Sequence, residues 1–127
     1  MKYIVNTQKS VQQAVEDLQQ AVVDHKFGVL HIHNIKQTLA NKGIEFENEC
    51  HIFEVCNPMK AKQVLTIDMS MNMALPCRIS VYQENGETKI GMISPSKMLA
   101  ALSDDKEMAA IAAEVEEISI QIIEQAK

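Results

Sequence analysis

Two hydrophobic rhythms alternate along this chain. A period near 3.6 marks one face of a helix, and a period of two marks one face of a strand. The segment SVQQAVEDLQQAVVDHKF (10–27) carries Val11, Val15, Leu18 and Val22 at steps of four, three and four, which predicts an amphipathic helix. Ser10 is placed to cap it, and Gly28, directly after Phe27, to stop it. At the other end, DDKEMAAIAAEVEEISIQIIEQAK aligns Met108, Ile111, Ala112, Val115, Ile118 and Ile122 in one stripe. This predicts a long C-terminal helix whose acidic first turn suits the helix dipole.

Between the two helices the rhythm shortens. KYIVNT (2–7), VLHIHNI (29–35), CHIFEVCN (50–57), RISVYQ (78–83) and TKIGMIS (88–94) read as strands. Asn85-Gly86 between the last two is a strong hairpin signal. Three short helices are expected: 36–43 closed by Gly43, 59–68 with Pro58 at its first turn, and 94–102 capped by Ser94 with Pro95 next. About five mostly antiparallel strands, with helices packed on one face and a long C-terminal helix, define an α+β two-layer sandwich. No linker or repeat interrupts the pattern, so residues 1–127 are read as a single domain.

Composition narrows the function. A chain of 127 residues with 46% hydrophobic content buries enough surface to fold without disulfides or metal. The net charge of −5 and the scattered cations argue against nucleic acid, whose phosphates require a basic face. MKYIVNTQKS turns polar after five residues, so no secretory leader is expected, and no apolar run approaches membrane-spanning length. The expected location is cytoplasmic, where three cysteines stand as free thiols.

The chemistry-bearing residues cluster at proline-marked turns. Cys56-Asn57-Pro58 ends the third strand, and Pro76-Cys77-Arg78 opens the fourth. If those strands lie antiparallel and adjacent, the two cysteines meet at one sheet edge. Arg78 would then favour the Cys77 thiolate, the reactive form. Packing of two small buried hydrophobes is the plainer account. In MSMNMALPCR (69–78), Met69, Met71 and Met73 share a face if the segment is extended, and a face of sulfurs suits Cu(I). Packing against a helix or a second subunit explains them more simply. His31 and His33 share a strand face, which His51 joins if strands two and three are neighbours. Three imidazoles there would hold zinc or copper, whereas exposed histidines are the plainer account. A thiol nucleophile at Cys77 would need a base, and His51 is the one candidate. Phosphate loops and nucleophile elbows are absent.

KFGVLHIHNIKQTLANKGIEF, then FEVCNP and LPCRISVYQENGETKIGMISP, make nearly the whole chain resemble a small bacterial and archaeal family. It is the domain-of-unknown-function family number three hundred and two. Its most specific marks here are Phe27-Gly28, Cys56-Asn57-Pro58, Leu75-Pro76-Cys77 and Pro95. The resemblance implies a compact two-layer α+β fold, often a dimer, without an established activity. The relatives carry Asp-Pro and small apolar residues where this chain has its methionines, so the sulfurs belong to this chain and not to the family.

The sequence therefore points to a homodimeric ligand- or protein-binding module without catalysis, and it leaves any cofactor unknown. Val29, Phe53, Val55, Ile79 and Val81 supply more apolar strand positions than one sheet face needs. An exposed apolar face of that size would be covered by a second copy, by the final helix or by a small apolar ligand. The alternative is a thiol-redox or soft-metal protein that uses Cys56 and Cys77 for copper or zinc, with His51 as a further metal ligand.

Overall fold

The computed structural model describes residues 1–127. Five strands form one antiparallel sheet: β1 (Lys2–Thr7), β2 (Gly28–Asn34), β3 (Cys50–Cys56), β4 (Cys77–Glu84) and β5 (Glu87–Ile93). Their order is β1-β5-β4-β3-β2. Strands β2 to β5 are thus a meander, and the first strand closes the far side against β5. The helices are α1 (Val11–Asp24), α2 (Ile35–Asn41), α3 (Pro58–Ile67), α4 (Pro95–Leu102) and α5 (Lys106–Ala126), with a 3-10 turn at Met69–Ala74. No helix is long and apolar enough to cross a membrane.

Local chemistry sets most boundaries. Side-chain oxygens of Ser10, Asn34, Asn57, Ser94 and Asp105 cap α1 to α5 by accepting backbone N–H groups that lack helical partners. Asn85 and Gly86 both have positive φ, as the two-residue β4–β5 turn requires. The stop of α1 differs from the sequence expectation. Lys26, not Gly28, takes the left-handed conformation, at φ 63°. Phe27 N–H donates to Val22 and Lys26 N–H to Val23, a Schellman closure that seats Phe27 in the core. Gly28 is the first residue of β2 and pairs with Cys56.

The sheet has two unlike faces. Phe53, Ile79, Val81 and Ile90 are opposed across β3, β4 and β5 and lie 0–1% exposed beneath the helices. Val55 shares that face and Val29 packs against it. Each fully buried side chain of this kind contributes roughly 1.5–3 kcal/mol. This corrects the expectation of an apolar open face. The strand residues that suggested one are the covered face, so they give no argument for a second copy. The uncovered face carries Lys2, His31, His33, Glu54, Arg78 and Lys89 with a few apolar neighbours.

The methionine run is also not extended. Asp68 accepts from the Ser70 N–H and hydroxyl and winds the segment into the 3-10 turn. Met71 points into the core at 5% exposure, while Met69 and Met73 are 67% and 83% exposed. With about three residues per turn, positions two apart cannot share a face. The shared sulfur face required for Cu(I) does not exist.

Candidate functional site

The register brings the two proline-marked cysteine turns together. Val55 lies opposite Cys77 across the β3–β4 pair, so Cys56 and Cys77 are diagonal neighbours, with Cα atoms roughly 6 Å apart on ideal sheet spacing. Diagonal neighbours start on opposite faces. Here β3 ends at Cys56 and the chain turns into α3, so both half-buried thiols line one cavity.

That cavity has a volume of about 300 Å³, and fifteen of its twenty lining residues are hydrophobic. Its floor is Val55 and Cys77 of the sheet. Ala61, Val64 and Leu65 of α3 form one wall, and Ile111, Ala112 and Val115 of α5 another. Pro95, Met98 and Leu99 of α4 and the segment Ala74–Cys77 complete it, with Phe27 and Leu30 at the β2 side. The Leu75–Pro76 peptide bond in this wall is cis. Polar groups are few: the two thiols, Asn57, Asn72 and Lys60, which is paired with Glu114. A small apolar cavity with a few placed polar groups is the usual form of a small-molecule site.

Of the residues singled out in the sequence, Cys56, Asn57, Pro76 and Cys77 line this cavity together. Asn57 Oδ1 is occupied in capping α3, where it accepts from Met59 and Lys60. Pro58 starts α3, stands exposed and does not line the cavity. Arg78 pairs with Glu54 on the uncovered face. It therefore does not favour the Cys77 thiolate as expected. Burial, and secondarily the neighbouring Cys56, push the Cys77 thiol up from its ordinary range. Burial does the same to Cys56.

His51 does not belong with these residues. It is the second residue of β3, five residues before Cys56, which is roughly 17 Å along a strand. It pairs with Val81 on the covered side and contacts Glu49 at 3.2 Å. Both the metal ligand and the catalytic base expected at His51 are therefore out of reach of Cys77. Nor does His51 join His31 and His33, which pair with Glu54 and Ile52 on the uncovered face. Their rings meet edge-on with centroids 4.4 Å apart, and His33 Nε2 lies 3.0 Å from Glu54 Oε1. The chain holds no cluster of three His, Cys, Asp or Glu side chains arranged for a metal.

One residue of interest escaped the sequence pattern. Ser119 sits in the buried stripe of α5, four residues after Val115, where the helical period had favoured Ile118. It is 2% exposed and lines a second cavity of about 390 Å³. A lone hydroxyl in an otherwise apolar stripe is the signal that could have found it.

These features define a class first: a two-layer α+β domain, an antiparallel five-stranded sheet backed by helices, with an apolar cavity at one end. The particular family follows from comparison. The chain belongs to the family described as "Domain of unknown function DUF302", which matches residues 3–126. An uncharacterized conserved DUF302 protein from Bacillus stearothermophilus has a similar crystal structure, with TM-score 0.92 and 34% identity. That likeness covers 99% of this chain and 98% of the other. No curated protein matches the chain.

Proposed function

We propose that this domain is a small-molecule-binding module, without catalysis, that receives an apolar group in the cavity between α3, α4 and the first half of α5. The observation that carries the reading is the cavity itself: about 300 Å³, walled by aliphatic side chains from three helices and floored by the sheet. The cleft is half open, so an apolar group can enter it, and its lining offers water few polar partners. Both thiols in it have raised pKa values, which suits apolar lining better than nucleophilic chemistry.

The test is a titration of the chain with 1-octanol followed by amide NMR. Shifts concentrated at Ala61, Val64, Leu99, Ile111 and Ala112 are expected. Shifts scattered over α1, or none up to the solubility of the alcohol, would overturn the reading.

A second reading rests on one observation, the shared position of Cys56 and Cys77 on this cavity. Two thiols so placed form a dithiol for a soft cation or for oxidation to a disulfide. With hydrogen peroxide, two thiols give one disulfide and two waters, and the chain loses two hydrogens. A Cys56→Ser/Cys77→Ser chain with the same peroxide response as the parent would remove this reading.

A further inference from the structure

The uncovered face of the sheet is graded in charge along the strands. Strand register sets its side chains in four rows, each crossing the sheet. The first row, at the end where β4 begins, holds Lys2, Ile93, Arg78, Glu54 and His31. Glu54 lies beside Arg78 and is bonded to His33, and neither Lys2 nor Arg78 forms a salt bridge. With neutral histidines, two cations and one carboxylate leave this end positive by one charge. The second row, Ile4, Gly91, Ser80 and Ile52, is uncharged as far as His33 at its edge. Lys89 and Tyr82 stand in the third row, Glu84 and Glu87 in the fourth. Lys89 bonds Glu84, and Glu87 accepts from Asn6, so two carboxylates and one cation leave this end negative by one charge.

Between the two ends the face is apolar and open. Ile4 and Ile93 are 45% and 47% exposed, and Ile52, in the same row as Ile4, is half-buried. Gly91 leaves a trough between Ile4 and Ser80, where a Cβ would stand 3.0 Å from Ile4 Cγ1 and 3.1 Å from the Tyr3 carbonyl oxygen. These residues are distinct from Phe53, Val55, Ile79 and Val81, which the helices cover. An apolar centre between polar ends is the anatomy of a protein interface.

We propose that a second copy of this chain packs on this face, sheet against sheet, with its strands running the opposite way. The two-fold axis lies between the sheets, at right angles to the strands and level with Val81 of the central strand β4. It sets Arg78 of each copy over Glu84 of the other, and Ser80 over Tyr82, whose ring covers the Gly91 trough. Charge selects this occupant and this orientation. The reversed face is its own complement at both ends, whereas strands running the same way would set Arg78 over Arg78. Five strands about 4.8 Å apart and about six residues of about 3.4 Å make a face of roughly 500 Å², so two copies bury about 1,000 Å². That is the low end for a specific interface, so the dimer is weak. The surface lies across the sheet from the apolar cavity and is independent of the ligand reading.

The experiment is sedimentation equilibrium of the full chain at low salt, from about 1 μM to about 1 mM. A concentration-dependent dimer with Kd of roughly 1–100 μM is expected, weaker in high salt. Arg78 and Glu84 are both exposed, so reversing their charge leaves the core untouched. Arg78→Glu and Glu84→Arg should each weaken the dimer at least about tenfold, because like charges then meet at both ends. An equal mixture of the two variants should recover the parent's affinity, since every reversed charge meets its opposite across the axis. A chain that stays monomeric up to the highest concentration would overturn the proposal. So would a dimer that neither reversal weakens, which would use another surface. A mixture no tighter than its components would overturn the reversed orientation and the pairing with it.

Discussion

The two halves of α5 are built from one stripe yet meet different neighbours. The second half, Ile122, Ile123 and Ala126, is fully buried, as are Ala14, Leu18, Ala21 and Val22 of the neighbouring α1. The first half, Ile111, Ala112 and Val115, faces the cavity. Both stretches look alike as sequence. What differs is the partner. Across from the second half lies a fourteen-residue helix with a continuous apolar face. Across from the first lie two short helices that begin at prolines and the 3-10 turn. Such pieces do not present a long ridge to fill a helix groove, so a space stays between them. The closed end supplies stability, and the open end supplies the site.

The largest test of this contrast is one chemical change made at both ends of one helix. Ile122→Ala should cost about 4 kcal/mol, because Ile122 is 0% exposed and its surroundings cannot collapse. Ile111→Ala should cost about 2 kcal/mol, because the lost methyl groups already border empty space. Urea denaturation with unchanged slope would measure both. Equal costs would show that the cavity end is as tightly packed as the other.

Enlarging a side chain should keep the same ranking. Ala14→Leu forces three carbons into a filled α1 position and should cost roughly 1–3 kcal/mol or more. Ala112→Leu projects into the cavity and should change stability by less than about 1 kcal/mol while removing 1-octanol binding. Thermal melts paired with the NMR titration separate the two effects. An Ala112→Leu chain that still binds the alcohol at the same residues would place the ligand elsewhere.

How much of this was legible in the sequence follows from the range of each interaction. Caps, turns and periodicity act within a few residues. Ser10, Ser94, Asn85-Gly86 and the five strand runs could therefore be read directly, and with them the α+β class. The end of α1 could not. Lys26 takes the left-handed position because Phe27 is drawn into the core, a tertiary demand that overrides the preference for glycine. The methionines misled because alternation at Met69, Met71 and Met73 fits a strand as well as an irregular segment, and the Asp68 cap decided the matter. Which strand face is covered is non-local too, so Phe53 and Ile79 looked surplus when they are the core. The meeting of Cys56 and Cys77 hung on strand order, and their sharing of a cavity on where β3 ends. A cavity has no sequence signal at all, since it consists of atoms that are missing.

The smallest predicted effect concerns what holds the open end together. There α4 is tied to α5 by polar contacts: Glu116 accepts from the Ser94 and Ser96 hydroxyls. The bond from Ser94, followed by those from Ser96, holds the Glu116 carboxyl below its ordinary pKa of 4.5, against the opposing effect of partial burial. A depressed folded-state pKa adds stability that is fully present above the unfolded value and is lost as pH falls through the folded one. Acidification below about pH 4.5 should therefore loosen α4 before α1, whose contact with α5 adds the fully buried Ala14, Leu18, Ala21 and Val22 to the polar ties of Gln125 with Asp24 and His25. Hydrogen exchange should show the amides of Leu99–Leu102 losing protection before those of Leu18–Val22. Glu116→Gln keeps one acceptor oxygen and removes the titration, so it should flatten the acid dependence of α4 exchange with a modest loss of protection at neutral pH. If the variant retains the parent's acid response, another carboxylate governs the open end, and the division between a packed end and a pinned end would have to be redrawn.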